Sequence, residues 1–241
     1  MKNLKLVLAA AGFALASSGV NAAIMSVTVS GQTVDFSYQY DSSLPNLFNL
    51  GIYSVSGDSL SFSPTNFIAH QNGLTGWSTS TATTPLVTVT AKAGYALTNL
   101  SLFEQGDYYR SQSGTNMTMV SVGGQFIVDN NPSSIISSQP LTTAMSAAGL
   151  FDQSETFQTS AWSVSSNVAL NNALSATAKV ENILRAGVNL NATALDEAFI
   201  EKKLMKFTAA TTTVVPVPGA FWLFGSALTG VLVSRRRNTT A

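Results

Sequence analysis

The sequence contains no cysteine. That excludes a disulfide framework, thiol chemistry and any thiolate-bound metal, so stability must come from a packed core. Charge is scarce as well. Only 10% of the 241 residues are charged, against 45% hydrophobic, and much of the remainder is Ser, Thr and Asn. A single histidine is present, His70. There is no Gly-x-Ser-x-Gly elbow, no phosphate-cradling glycine loop, no zinc-ligand spacing and no solenoid repeat.

The formal net charge of zero conceals an uneven distribution. Five of the twelve basic residues are Lys2, Lys5, Arg235, Arg236 and Arg237, at the two ends. All twelve acids lie between Asp35 and Glu201, so the body carries seven basic residues against twelve acidic ones, a net of minus five. An acidic body lacks the basic face that nucleic acid requires, and no nucleic-acid partner is expected.

The ends carry the clearest signals. Met1–Ala22 has a positive start at Lys2 and Lys5, an apolar run over Leu6–Ala16 and compact residues at Val20 and Ala22. This is the order of a secretory signal peptide, with cleavage expected between Ala22 and Ala23. At the other end, Val214–Val233 contains no charge. As a helix it would measure about 30 Å, roughly one hydrocarbon thickness. Pro216 and Pro218 trim the regular part to a span of about 218–234, short for a permanent anchor. Trp222 suits the outer interface, and Arg235-Arg236-Arg237 should remain cytoplasmic with residues 238–241.

Between the ends, residues 23–207 read as one domain of short strands. Ser26–Ser30 and Gln32–Tyr38 alternate around Gly31, and Ile52–Val55 and Ser59–Phe62 flank Ser56-Gly57-Asp58, so two hairpins are expected. Leu86–Thr90, a run from Tyr95 to Leu102, and Thr156–Val164 are further strands. Met117–Val122 and Gln125–Val128 are separated by Gly123-Gly124, which reads as a hairpin or a bulge. Asn171–Ala186 reads as a short helix, with Asn171 as its cap and Gly187 as its stop. Ala198–Thr208 returns to strand. Strict alternation there puts Glu201, Lys203, Met205 and Phe207 on one face, and Ile200, Lys202, Leu204 and Lys206 on the other. Residues 208–215 read as a Thr-rich linker. The fold class expected is mainly β, a β-sandwich or jelly-roll-like single domain, with an N-terminal signal peptide and a C-terminal transmembrane helix.

Val215-Pro216-Val217-Pro218-Gly219-Ala220, the apolar span and the arginine cluster together resemble the PEP-CTERM sorting domain in its VPLPA-like variant. Val217 stands where the name-giving motif has Glu, and Gly219 where the variant usually has Ala. The resemblance covers about 25 residues. It implies sorting and cleavage by an exosortase, a membrane protease, after membrane tethering. Leu102–Tyr109, Val120–Phe126 and Ala198–Lys203 resemble stretches of some PEP-CTERM cargo proteins, which implies an all-β extracellular body without an enzymatic core. The localisation implied is a tethered inner-membrane precursor, then the cell surface or matrix, with exopolysaccharide as a further partner.

Candidate chemistry is sparse. Glu104 and Asp107 could serve as a glycosidase carboxylate pair, with Tyr108 and Tyr109 as sugar-stacking rings, or could form a polar turn ending a strand. His70, before Gln71-Asn72-Gly73, reads as a general base, a ligand or a plain loop residue. Asp129-Asn130-Asn131 is the densest oxygen cluster, suiting calcium or an Asx turn. Asn116-Met117-Thr118 and Asn191-Ala192-Thr193 match a glycosylation triplet that arises by chance. No cofactor and no catalytic residue are expected. The reading is a non-enzymatic surface or matrix protein. The rival is a carbohydrate-binding module or adhesin whose platform is Trp77, Tyr108, Tyr109 and Trp162.

Overall fold

A computed structural model describes residues 23–44, 47–73, 75–112, 118–129, 131–136, 156–188, 196–214 and 226–227. The expected signal peptide lies outside the described residues. So does the expected sorting region, apart from Ser226 and Ala227, which are helical. Among the described residues no helix is long and apolar enough to cross a membrane.

Gly31 ends the first alternating run, and its N–H returns to the Val34 carbonyl at 2.8 Å. Strand β1 (Ile24–Ser30) therefore folds back on β2 (Val34–Asp41), with Ser30 opposite Asp35. The period of two buries Val34, Phe36 and Tyr38. The second expected hairpin is also present, β3 (Tyr53–Ser56) with β4 (Ser59–Phe62), turning at Gly57 with φ 58°. Next come β5 (Ile68–Asn72), β6 (Gly76–Thr83), β7 (Val87–Ala91) and the long β8 (Tyr95–Gln112). The remainder are β9 (Thr118–Val128), β10 (Asn131–Ile136), β11 (Thr156–Ala173), β12 (Ser175–Val188) and β13 (Glu197–Thr213).

Two antiparallel sheets result. The first runs β1-β2-β7-β12-β9-β10, with β6 also on β12; the second runs β11-β8-β13-β4-β3, with β5 also on β13. Each is organised by one long strand. In the first sheet β12 pairs with β9 along one flank and with β7 and β6 in series along the other. In the second, β13 pairs with β8 along one flank and with β5 and β4 in series along the other. The sheets share one core. Phe126 of β9 meets Phe207 of β13 at 6.1 Å, and Tyr38 of β2 meets Phe62 of β4 edge-on at 5.4 Å.

Four local expectations are corrected. Asn171–Ala186 is not a helix. It spans the end of β11, a turn at Leu174 and most of β12, whose inward Ala176, Ala178, Val180, Leu184 and Ala186 follow a period of two. Ladder bonds on both flanks outweigh a weak helical spacing. Gly123-Gly124 is neither turn nor bulge, because β9 passes straight through it in unbroken register with β12. Gly124, at φ 144°, lets the backbones approach so closely that a Cβ there would lie 1.9 Å from the Glu181 carbonyl oxygen. Residues 208–213 are strand rather than linker. Thr208 pairs with Ser59 and Ser101, and Thr213 with Tyr95, as suits β-branched side chains.

The fourth is the strict alternation expected over Ala198–Thr208. The register of β13 against β8 slips between Lys202 and Leu204, so Lys203 is an extra residue. The bulge changes the phase of the alternation. Ile200 and Lys202 share the buried face with Met205 and Phe207, and Lys203 faces solvent.

Candidate functional site

Glu104 and Asp107 stand three apart on β8, an odd spacing that puts them on opposite faces of the sheet. Glu104 is fully buried. Asp107 is outside, paired with Lys203, which also meets Glu201 at 3.0 Å. These bonds hold the Lys203 ammonium pKa above its ordinary value, Asp107 first and then Glu201. The two carboxylates cannot flank one substrate, and neither ends a strand.

Glu104 has other partners. Its Oε1 lies 2.7 Å from Lys202 Nζ and accepts a hydrogen bond from Asn182 Nδ2 at 3.0 Å. Lys202 Nζ also donates to Asn182 Oδ1. The three side chains come from β8, β12 and β13, and the relative exposure of each residue is 1% or less. The rings of Phe48 and Phe67 flank the Lys202 ammonium at 5.7 and 5.1 Å. Burial pushes the Lys202 pKa down, and the Glu104 carboxylate opposes that shift. The second oxygen of Glu104 accepts no hydrogen bond among the described residues.

The bulge creates this arrangement, since it carries Lys202 inward beside Gly106. On the other side of Gly106 lies Trp162, whose indole N–H donates to the Glu201 carbonyl at 3.0 Å. Asn182 and Lys202 were not among the sequence candidates. The available signal was a lone amide on an otherwise apolar period-two face, obscured by the helical reading of that segment.

His70 lies on β5 at the outer surface of the second sheet. Its Nε2 is 2.6 Å from Glu197 Oε1, which also accepts from the Tyr109 hydroxyl. Phe199 stacks on Tyr109 at 5.2 Å and meets the His70 ring edge-on at 5.9 Å. Partial burial, then the Glu197 carboxylate, raises the Tyr109 pKa and keeps its hydroxyl a donor. No hydroxyl nucleophile is placed by these bonds beside the imidazole, so the cluster reads as a cross-strand surface network.

The four aromatic candidates do not converge. Tyr108 and Trp162, at 4% and 3% exposure, belong to the core, which removes them from a solvent-facing platform. Tyr109 is half-buried on the second sheet. Trp77 is 57% exposed on the first, with its ring across Gly187. Asp129 Oδ1 is engaged by the Thr177 N–H at 2.7 Å and hydroxyl at 3.1 Å, an Asx-type lock at a strand end. Asn130 lies outside the described residues. Among the described residues no group of three or more His, Asp or Glu side chains could hold a metal. An open cleft lined by Tyr40, Asp41, Leu47, Phe48 and Thr81 offers one carboxylate, and Asp41 already bonds Ser43. No family model, curated protein or solved structure matches the chain.

Proposed function

We propose that this is an exported surface or extracellular-matrix protein without enzymatic activity, made as a tethered precursor and cut by an exosortase within Val215–Gly219. One observation carries the reading: the order of Pro-containing motif, uncharged span and triple arginine at the C-terminus. The leader at Met1–Ala22 supports it. So does the body, where both glycosidase candidates are engaged in ion pairs on opposite faces of β8. The separated aromatics favour this reading over a carbohydrate-binding module with a four-ring platform. Exopolysaccharide is the expected surroundings of the mature body.

The C-terminus of released protein tests the proposal. Mass spectrometry of material shed by the native host should find chains ending within Val215–Gly219, with Phe221–Arg237 peptides confined to the membrane fraction. Intact Phe221–Arg237 on released protein, with no shortened form, would sink it.

A further inference from the structure

The Glu104–Lys202–Asn182 cluster sets an amine, a carboxamide and a carboxyl group in mutual contact inside an apolar core. Lys202 Nζ donates to the oxygen of the amide group whose carbon it would attack. One carboxylate oxygen, Glu104 Oε1, touches both nitrogens. One is the Lys202 nitrogen, at 2.7 Å, and the other is Asn182 Nδ2, at 3.0 Å. In an acyl transfer from Asn182 to Lys202 the first nitrogen must lose protons and the second must gain one. Glu104 is placed to do both. As a permanent ion pair the cluster is poor design, since a buried pair must overcome the desolvation of both charges. As a reactant complex, each contact has a use.

We propose that Lys202 and Asn182 are joined by an intramolecular amide cross-link, formed in the folded core with Glu104 as the proton carrier. The first step passes a proton from the Lys202 ammonium to the Glu104 carboxylate across their 2.7 Å contact, which leaves a neutral, nucleophilic amine and a neutral acid. The amine attacks Asn182 Cγ while the Glu104 acid hydrogen-bonds the oxygen that becomes negative. Glu104 then delivers its proton to Asn182 Nδ2, which departs as ammonia, and takes one in return from the attached Lys202 nitrogen. The bond Cγ–Nζ forms and the bond Cγ–Nδ2 breaks. Nothing is oxidised or reduced. The ammonium and carboxylate are consumed as charges, and Glu104 ends as a neutral acid able to donate to the new amide oxygen. Holding the groups in contact supplies the effective concentration that an amine and an unactivated amide lack in solution.

The link would join β12 of the first sheet to β13 of the second. A chain without cysteine would thereby gain a covalent tie between its sheets that no reductant can open.

A tryptic map of the full-length folded protein is the test. Trypsin cannot cut after an acylated Lys202, so Val180–Arg185 should be recovered joined to Ala186–Lys203. The joined peptide and the intact chain should each be lighter by one ammonia, about 17 Da. The Glu104→Gln variant should retain the β-sheet circular dichroism and show full mass with separate peptides. A wild-type map with free Val180–Arg185 and normal cleavage after Lys202 overturns the proposal. Loss of ammonia at Asn182 without linkage to Lys202 overturns it too. Linkage persisting in Glu104→Gln overturns the role of Glu104. The wild-type map decides the cross-link even if the variant fails to fold.

Discussion

Gly106 is held from two directions at once. A Cβ there would lie 1.9 Å from the Glu201 carbonyl oxygen and 2.7 Å from the Trp162 ring. Its φ is not the reason; the room is taken by the indole that crosses it to reach that same carbonyl. Gly106→Ala should therefore cost about 3 kcal/mol through overpacking. Urea denaturation at neutral pH measures this, and an unchanged midpoint would refute the close approach. The residue was visible in the sequence only as one glycine beside an acid. The indole that forbids a side chain comes from Trp162 on β11, far along the chain, which no local pattern reveals.

At the scale of elements, the two hairpins predicted around Gly31 and Gly57 have their tips clasped together across the sheets. The Asp58 carboxylate accepts from the Thr33 N–H at 2.7 Å and the Thr33 hydroxyl at 2.6 Å. Gln32 N–H reaches the Gly57 carbonyl, and the Thr33 hydroxyl meets that of Thr211 on β13. Burial alone would raise the Asp58 pKa. The hydrogen bonds from Thr33, Val34 and Gln32 outweigh it and hold the carboxyl below its ordinary value. A depressed folded pKa stabilises above the unfolded value of about 3.9 and loses that contribution as pH falls through the lower folded one. Asp58→Ala should thus lose about 2 kcal/mol at pH 7. The gap from wild type should close on acidification below about pH 4. A gap constant from pH 7 to 2 in urea titrations would show that the clasp does not depend on the charge.

The strands around those tips were legible because alternation and turn residues are local properties. The bulge in β13 was not. Ala198–Thr208 alternates plausibly in either phase, and the choice depends on which residues β8 presents opposite. Glu104 and Gly106 make room for Lys202 and draw its charge inward, so one slipped residue reverses the face of everything after it. The same limit applied to Asn171–Ala186, where small side chains fit a helix as readily as the centre of a sheet. Only the flanking strands choose between them.

For the whole molecule, the core cluster draws residues from both sheets, among them Phe36, Val89 and Phe126 from the first and Leu60, Leu102 and Phe207 from the second. Neither sheet keeps its apolar face covered alone, so the body should unfold in a single step. Calorimetric and van't Hoff enthalpies should agree in a thermal scan; two resolved transitions would refute the shared core.

The sequence by itself determined the β character, the positions of the two early hairpins and the expectation of export, because these rest on composition, period and the order of short segments. Tertiary structure alone decided what lies inside. The sorting signal proposed for the C-terminus rests on a linear pattern, readable residue by residue. The acid, amine and amide of the core are scattered over positions 104, 182 and 202. They become a site only when a bulge turns Lys202 inward and two sheets close over it. Chemistry assembled from three strands leaves no spacing in the chain to be read.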